Sequence, residues 1–221
     1  MTIAPPPVVV EPTLAERLAR AGVPPRFLPC RLGGFTPRQG TRTALAAAVE
    51  LVDDTSGKGL LLSGPPGTGK THLATGILAA RLHAWMAAFP RPWWEVDAGE
   101  ELAIVRRPPL VVRFLVVPTL LDQLRAAIRY GDRDDPLPEL VDADLVVLDD
   151  LGREKVTDWA TERLYVLVNE RYNRRRATIV TTNYAPSELA DRGYDALVSR
   201  LMEGSSAVRV EASDYRLGID H

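Results

Sequence analysis

The chain has 221 residues, of which 46% are hydrophobic and 25% are charged, enough for one sizeable α/β domain with little left for a second. With a formal net charge of −2, the chain as a whole is not expected to bind polyanions, although local basic patches could contact DNA. The single cysteine, Cys30, excludes an internal disulfide framework and indicates a reducing compartment, and we expect it to be a small buried hydrophobic residue. Without a signal peptide or an apolar stretch of membrane-spanning length, the sequence predicts a soluble cytoplasmic protein.

The first fifty residues predict a tail followed by two helices. We expect residues 1–12 to be extended and residues 14–21 to form a short helix capped by Thr13. Residues 23–37 carry many Pro and Gly and should be irregular, and helical spacing returns over residues 41–53. We therefore divide the chain into a tail with one short helix, residues 1–22, and one ATPase-sized domain, residues 23–221.

The remaining chain alternates short apolar strands with helices, which predicts a parallel sheet covered by helices on both faces. Residues 90–109 hold two adjacent tryptophans between prolines and look like an insertion, and residues 131–138 should form a loop. The predicted strands are residues 59–63, 112–117, 145–148, 177–182 and 207–211, and the predicted helices are residues 71–84, 118–130, 157–174, 186–191 and 194–202.

Residues 64–71, GPPGTGKT, fit the phosphate-binding pattern G-x-x-x-x-G-K-[ST] and lie between a predicted strand and a predicted helix. The glycines let backbone N–H groups point at an anion, Lys70 would reach the β- and γ-phosphates, and the Thr71 hydroxyl would bind Mg²⁺. By chance the bare pattern should occur in roughly 1 in 100 chains of this length. The residues predicted to bind the nucleotide are Gly64, Pro65, Pro66, Gly67, Thr68, Gly69, Lys70, Thr71 and His72.

Two polar motifs follow later predicted strands. LVVLDD ends in two carboxylates, and we assign Asp149 to the metal, together with Thr71, and Asp150 to the attacking water. The alternative is that both acids cap the next turn. Asp150 is shorter than the Glu that many such ATPases use, so we expect slow hydrolysis. VTTN places Asn183 where its amide could position water, and the alternative is an ordinary strand-ending Asn.

These motifs resemble those of a known family. GPPGTGKTHLA, LVVLDDLG, VTTN and the closing SRL and DYR are similar to the DnaC/IstB type of AAA+ ATPase, which includes bacterial replicative-helicase loaders and the ATPase helpers of insertion-sequence transposases. The likeness runs from residue 21 to residue 216. It implies a P-loop NTPase fold with an AAA+ core and, as cofactors, ATP and Mg²⁺. Because few residues follow Arg216, we expect the C-terminal lid to be short or absent.

The resemblance also implies roles for three polar residues. Asn183 matches the first sensor, Arg200 in SRL matches the arginine finger that reaches a neighbouring subunit's γ-phosphate, and Arg216 in DYR matches the second sensor. A guanidinium offers phosphate oxygens a planar fork of donors. The alternative for each arginine is a solvated surface position. These roles imply a homo-oligomer in the ATP-bound state.

Contact with DNA, expected to be single-stranded, is implied mostly by the resemblance. Basic and aromatic groups could form such a surface. The arginine run could instead complement a helix end, and the tryptophan pair could instead anchor a loop or a partner. The candidates are Arg125, Arg129, Arg174, Arg175 and Arg176, with Trp93, Trp94, Arg106 and Arg107 in the insertion.

Three hypotheses about function follow. The first is an oligomerising ATPase that acts on DNA and loads or remodels a partner, as a helicase-loader-like factor in DNA replication or alternatively as a transposase helper. The second is a nucleotide-gated protein adaptor with negligible hydrolysis. The third, a small-molecule phosphotransferase, would need an arginine-rich lid and an acceptor pocket that the sequence does not show clearly.

Overall fold

The computed structural model describes residues 11–88, 110–130 and 135–215. The expected extended tail falls almost entirely outside these residues, as do the insertion with Trp93 and Trp94 and the candidate sensor Arg216. None of the described helices is both long enough and apolar enough to cross a membrane.

Five parallel strands form one sheet in the spatial order β2-β3-β4-β1-β5, which confirms the predicted parallel sheet. Every strand is thus joined to the next along the chain by a crossover rather than a hairpin, as parallel pairing requires. The strands are β1 (Gly59–Ser63), β2 (Val112–Val116), β3 (Leu145–Leu151), β4 (Ala177–Thr182) and β5 (Ser205–Arg209).

Helices cover both faces of this sheet. Those that flank the strands are α1 (Leu14–Arg20), α2 (Arg42–Val52), α3 (Lys70–Ala88), α4 (Val117–Tyr130), α5 (Leu137–Asp142), α6 (Asp158–Asn173), α7 (Pro186–Leu189) and α8 (Asp195–Gly204). Two short 3₁₀ turns, Pro25–Phe27 and Leu32–Gly34, connect α1 to α2, and a π-helical turn, Ala190–Tyr194, joins α7 to α8.

Successive side chains of the central strands enter two separate hydrophobic cores. Leu60 and Leu62 of β1 pack on the face covered by α1, α2 and α3, and Leu61 between them packs on the face covered by α4, α5, α6 and α8. All three leucines are at most 1% exposed. Burial on both faces explains why the central strands are continuous apolar runs rather than alternating ones.

Two predictions about local structure are wrong. The predicted loop at residues 131–138 ends at Leu137, where the short helix α5 begins. Its 6 residues make fewer than two turns, which is too short for a clear helical periodicity, and Leu140 and Val141 anchor it by burial. The strand predicted at residues 145–148 continues through both acids to Leu151, so the acids lie within β3 and not after it.

Candidate nucleotide site

The loop of residues 64–69 connects β1 to α3 at the carboxyl edge of the sheet, where β3 and β4 also end. Open parallel sheets bind ligands at this edge. Gly64 (φ 140°) and Gly67 (φ 77°) adopt backbone conformations that favour glycine. A Cβ on Gly64 would lie 2.2 Å from the carbonyl oxygen of Val210, so the close approach of the chain after β5 also requires glycine there.

Lys70 begins α3 with its ammonium folded back into the loop. The side chain is buried, and Nζ donates hydrogen bonds of 2.7 Å each to the carbonyl oxygens of Gly64 and Pro65. The Thr68 hydroxyl donates to the same Pro65 oxygen over 2.9 Å. The loop therefore presents a buried cation next to the first turn of α3, where the helix dipole and unpaired N–H groups also favour an anion.

Thr71 and Asp149 meet across the gap between the loop and β3. The Thr71 hydroxyl donates to Asp149 Oδ1 over 2.9 Å, and the Thr181 hydroxyl of β4 donates to the same oxygen over 2.6 Å. Asp149 is only 4% exposed. Burial raises the pKa of Asp149 above its ordinary value, and the hydrogen bonds from Thr181 and Thr71 oppose that rise.

This pair suits Mg²⁺. A hydroxyl and a carboxylate are the hard oxygen ligands that Mg²⁺ prefers, and because Thr71 gives its proton to Asp149, its lone pairs stay available to a cation. Over residues 11–88, 110–130 and 135–215, no cluster of three or more His, Cys, Asp or Glu could hold a metal without other ligands. Mg²⁺ in nucleotide sites commonly uses one or two protein groups together with phosphates and water, so the residues present fit it.

Asp150 has a left-handed backbone (φ 62°), and its side chain has different contacts from that of Asp149. Its N–H donates to the Thr181 hydroxyl over 3.0 Å, and its carboxylate forms a 3.2 Å ion pair with Arg153. Asp150 and Asn183 line one cavity, of about 460 Å³, together with much of the loop. Of the predicted site residues, this cavity also contacts Pro66, Gly67, Gly69, Lys70, Thr71 and His72.

The cavity has an outer wall that the sequence did not predict. It comes from the segment between α1 and α2, which docks on α3: His72 Nε2 lies 2.9 Å from the carbonyl oxygen of Arg31, and the His72 and Phe35 rings are in edge contact at 5.3 Å. Cys30 lines this wall and is half-buried, so the expectation of a small buried residue is wrong. Partial burial raises the pKa of its thiol. A Pro- and Gly-rich composition carried no periodic signal from which this wall could have been found.

The chain after β5 closes the cavity from the other side. The Tyr215 N–H donates to the carbonyl oxygen of Gly67 over 3.0 Å, and its hydroxyl donates to that of Thr36 over 2.7 Å. The Arg38 guanidinium lies 3.9 Å from the centre of the Tyr215 ring. Tyr215 thus ties the loop to the outer wall immediately before Arg216, which lies outside the described residues.

Arg200 lies away from the cavity of its own chain. It is on α8, forms a 2.8 Å ion pair with Glu203, and its guanidinium lies 4.9 Å from the centre of the Tyr172 ring near the end of α6. The predicted site residues within the described part of the chain thus fall into two groups: the phosphate loop, the two acids and Asn183 come together, and Arg200 stands apart from them.

The basic residues considered for DNA contact are partly engaged with acidic neighbours. Arg125 forms a 2.9 Å ion pair with Asp122 and stacks at 4.9 Å over the Trp159 ring. Arg174 and Arg176 pair with Asp142 and Asp144, respectively. The arginine run therefore has a structural use in joining the end of α6 to the chain around β3. The four candidates of the insertion, from Trp93 to Arg107, lie outside the described residues.

Two residues that contact the acids were not predicted from the sequence: Thr181, which contacts both, and Arg153, which contacts Asp150. Thr181 and Thr182 are adjacent in β4, so their side chains face opposite sides of the sheet, and only Thr181 contacts the acids. Thr182 instead donates to the carbonyl oxygen of Leu151 over 2.8 Å. Arg153 follows the acids by three residues, and its contact depends on the left-handed turn at Asp150, which has no pattern signal.

Comparisons with known proteins identify the family to which the chain is related. The family described as "IstB-like ATP binding protein" matches residues 101–220. The chain is 29% identical over 223 residues to an insertion sequence ATP-binding protein of Sinorhizobium fredii, covering 94% of this chain and 66% of that protein. It is 26% identical over 163 residues to the insertion sequence IS21 ATP-binding protein of Pseudomonas aeruginosa, covering 72% of this chain and 52% of that protein. The chain thus spans between half and two thirds of these relatives.

Among solved structures, the crystal structure of the DnaC helicase loader is similar to this chain with a TM-score of 0.68 and 26% identity. The likeness covers 85% of this chain and 100% of that one. The five-stranded parallel sheet, its helices on both faces and the phosphate loop after β1 make this domain a P-loop NTPase with an AAA+ core.

Proposed function

The chain belongs to the family of IstB-like ATP binding proteins, and on that premise we propose that it binds ATP with Mg²⁺, hydrolyses it slowly and acts on DNA with a partner protein. The observation that carries the proposal is the contact between the Thr71 hydroxyl and Asp149, 2.9 Å apart, beside the buried ammonium of Lys70. If residues 64–71 were only a turn without a ligand, the burial of Lys70 and the hydrogen bond between Thr71 and the Asp149 carboxylate would have no purpose.

In this proposal the phosphate loop, the two acids and Asn183 each have a defined task. Backbone N–H groups of residues 67–71 and the Lys70 ammonium bind the phosphates, and Thr71 with Asp149 would hold the metal. Mg²⁺, when bound, neutralises charge on the β- and γ-phosphate oxygens. Asp150 orients the attacking water and accepts its proton, and the Asn183 amide holds that water in line with the γ-phosphate.

We place Arg200 at a boundary between two copies of the chain. Because it stands apart from its own cavity, a phosphate contact would have to be made to the nucleotide of a neighbour. ATP at such a boundary would hold the assembly together, and hydrolysis would loosen it and release the partner. Arg216, immediately after Tyr215, would contact the nucleotide of its own subunit.

Two partner classes fit, and both would operate in the cytoplasm. A helicase-loader-like role in DNA replication is supported by the match to the whole of the solved DnaC chain. A transposase-helper role is supported by the family match and by the insertion-sequence relatives. In either case we propose that residues 23–221 form the ATPase domain, with residues 1–22 and the insertion at 90–109 as appended segments.

The test is binding of fluorescent single-stranded DNA, followed by anisotropy with ATP, with ADP and without nucleotide. We expect DNA affinity to appear with ATP and to be lost in Lys70→Ala, because that variant lacks the phosphate-binding cation. Lys58→Ala is the matched control: it removes an exposed lysine near the start of β1 and should bind as the wild type does.

Two results would contradict the proposal in different ways. ATP binding that survives in Lys70→Ala would mean that the loop is not the nucleotide site. Intact ATP binding without DNA binding in any nucleotide state would remove the DNA part and favour the protein adaptor, whose partner would then be sought first at the insertion of residues 90–109.

A further inference from the structure

Asp149 and Asp150 of β3 form a β-bulge opposite a single residue of β4. Leu148 pairs with Val180 and Leu151 pairs with Thr182, so Asp149 and Asp150 together oppose Thr181. Two residues against one is the defining feature of a bulge, and bulges often re-aim side chains next to active sites. Here the bulge contains both residues to which the chemistry is assigned.

The Thr181 hydroxyl contacts both acids at once. It donates its only proton to Asp149 Oδ1 over 2.6 Å and accepts the N–H of Asp150 over 3.0 Å. Thr181 is 0% exposed, so bulk water does not compete for either contact. A β-branched side chain in a strand is also restricted in χ1, which fixes where the hydroxyl points.

Each contact has a consequence for the site. In the described part of the chain, the hydrogen bonds to the Asp149 carboxylate both end on Oδ1, from Thr71 and from Thr181. This leaves Oδ2 for a cation or its water. The second contact ties the Asp150 N–H to β4, at a residue whose backbone is left-handed and whose side chain lines the cavity.

We propose that Thr181 is a positioning residue that couples the two acids, fixing Asp149 for the metal and Asp150 for the water through one hydroxyl. This inference rests on the proposed function, since it assigns Thr181 to the same Mg²⁺–ATP site. Thr181 need not contact nucleotide or metal to act, because both effects pass through the acids.

The test measures the affinity for a fluorescent ATP analogue with Mg²⁺ and with EDTA, in wild type, Thr181→Val and Thr181→Ser. We expect all three to bind equally in EDTA, because the phosphate loop is unchanged. The gain in affinity that Mg²⁺ confers should fall about tenfold in Thr181→Val, which loses a hydrogen bond to a charged group, and should be kept in Thr181→Ser. ATP turnover, measured in parallel, should follow the same order.

Thr75→Val is the matched control, because it makes the same atomic change at another fully buried threonine, whose hydroxyl has no hydrogen-bond partner in the described structure. It should keep the wild-type response to Mg²⁺. Thermal unfolding reports whether each variant is folded. If Thr181→Val does not fold, Thr181→Ala compared with Thr181→Ser tests the same hydroxyl without adding a methyl group.

The inference would be overturned if Mg²⁺ raised the affinity of Thr181→Val or Thr181→Ala for the ATP analogue as much as it raises that of the wild type. It would also be overturned if Thr181→Ser lost this gain in affinity as fully as Thr181→Val does. Failure of the proposed function is distinguishable: in that case the wild type itself gains no ATP affinity from Mg²⁺.

Discussion

At the scale of single residues, Asp150 has an unfavourable left-handed backbone conformation and also carries the carboxylate that we assign to the attacking water. Among the described residues other than glycine, only Asp150 and Arg175 have a positive φ. Left-handed backbone costs most residues about 1–2 kcal/mol, and Asp and Asn tolerate it better than others. The position therefore favours a short polar side chain, which gives a physical reason for Asp where many such ATPases use the longer Glu.

We predict that Asp150→Asn keeps both the fold and the affinity for Mg²⁺–ATP, because Asn tolerates the same backbone conformation. Turnover should fall about 10²-fold, since the amide cannot accept a proton. Steady-state phosphate release and binding of a fluorescent ATP analogue measure the two quantities. Equal turnover in the variant and the wild type would favour the nucleotide-gated adaptor over the ATPase.

Asp150→Ala separates the backbone effect from the chemical one. It should lose turnover as Asp150→Asn does, and its free energy of unfolding should fall by about 1 kcal/mol more, because alanine does not favour positive φ. Urea denaturation of the two variants makes the comparison. The ion pair with Arg153, in which the arginine is exposed and Asp150 is partly buried, is lost in both variants and so does not affect the comparison.

At the scale of secondary structure, a buried arginine explains the helix that the sequence did not predict. Arg171 in the last turn of α6 is fully buried, and burial lowers its pKa to about 9. Its guanidinium donates to groups at the end of α5 and the start of β4 and so caps carbonyls that a short helix leaves unpaired. The acceptors are the carbonyl oxygens of Leu140, Val141, Ala143 and Ala177 and the hydroxyl of Thr178.

We predict that Arg171→Leu lowers the free energy of unfolding by at least about 3 kcal/mol, because several buried carbonyls lose their donor together. Arg174→Ala, one turn further on, removes only exposed ion pairs with Asp142 and Glu170 and should change stability by less than about 1 kcal/mol. Chemical denaturation measures both variants. Similar losses in the two would contradict a capping role for Arg171.

At the scale of the whole molecule, the sheet brings together groups that are far apart in the chain. The Thr71 hydroxyl and Asp149 are 78 residues apart in sequence and 2.9 Å apart in space. Parallel strands place their carboxyl ends on one edge, so the loop after β1, the acids of β3 and Asn183 after β4 converge there. Arg200, on a helix packed against one face, is not carried to that edge.

We predict that Arg200→Ala and Lys70→Ala are each inactive alone and recover ATP turnover when mixed. Each Lys70→Ala subunit still supplies Arg200 to a neighbour, and each Arg200→Ala subunit still binds ATP. An equal mixture should reach roughly a quarter of the wild-type rate, because half of the subunits bind ATP and half of those have a competent neighbour. Phosphate release measures this directly.

The control for this experiment mixes Arg200→Ala with a chain that carries both substitutions, Lys70→Ala and Arg200→Ala. No subunit then supplies the arginine, and turnover should stay at background. Wild-type turnover in Arg200→Ala alone would show that the arginine is not a finger, and equal recovery in the control mixture would show that another residue is responsible.

The sequence by itself determined the parallel sheet, the phosphate loop and the paired acids, because these depend on local patterns: apolar runs of strand length, glycines at fixed spacing, and polar residues at strand ends. Tertiary structure alone decided the outer wall of the cavity, the bulge and its contact with Thr181, and the short helix α5. Each of these depends on a contact between distant segments, such as His72 with Arg31, Thr181 with the acids, or Arg171 with α5. Contacts between distant segments have no spacing along the chain from which they could be predicted.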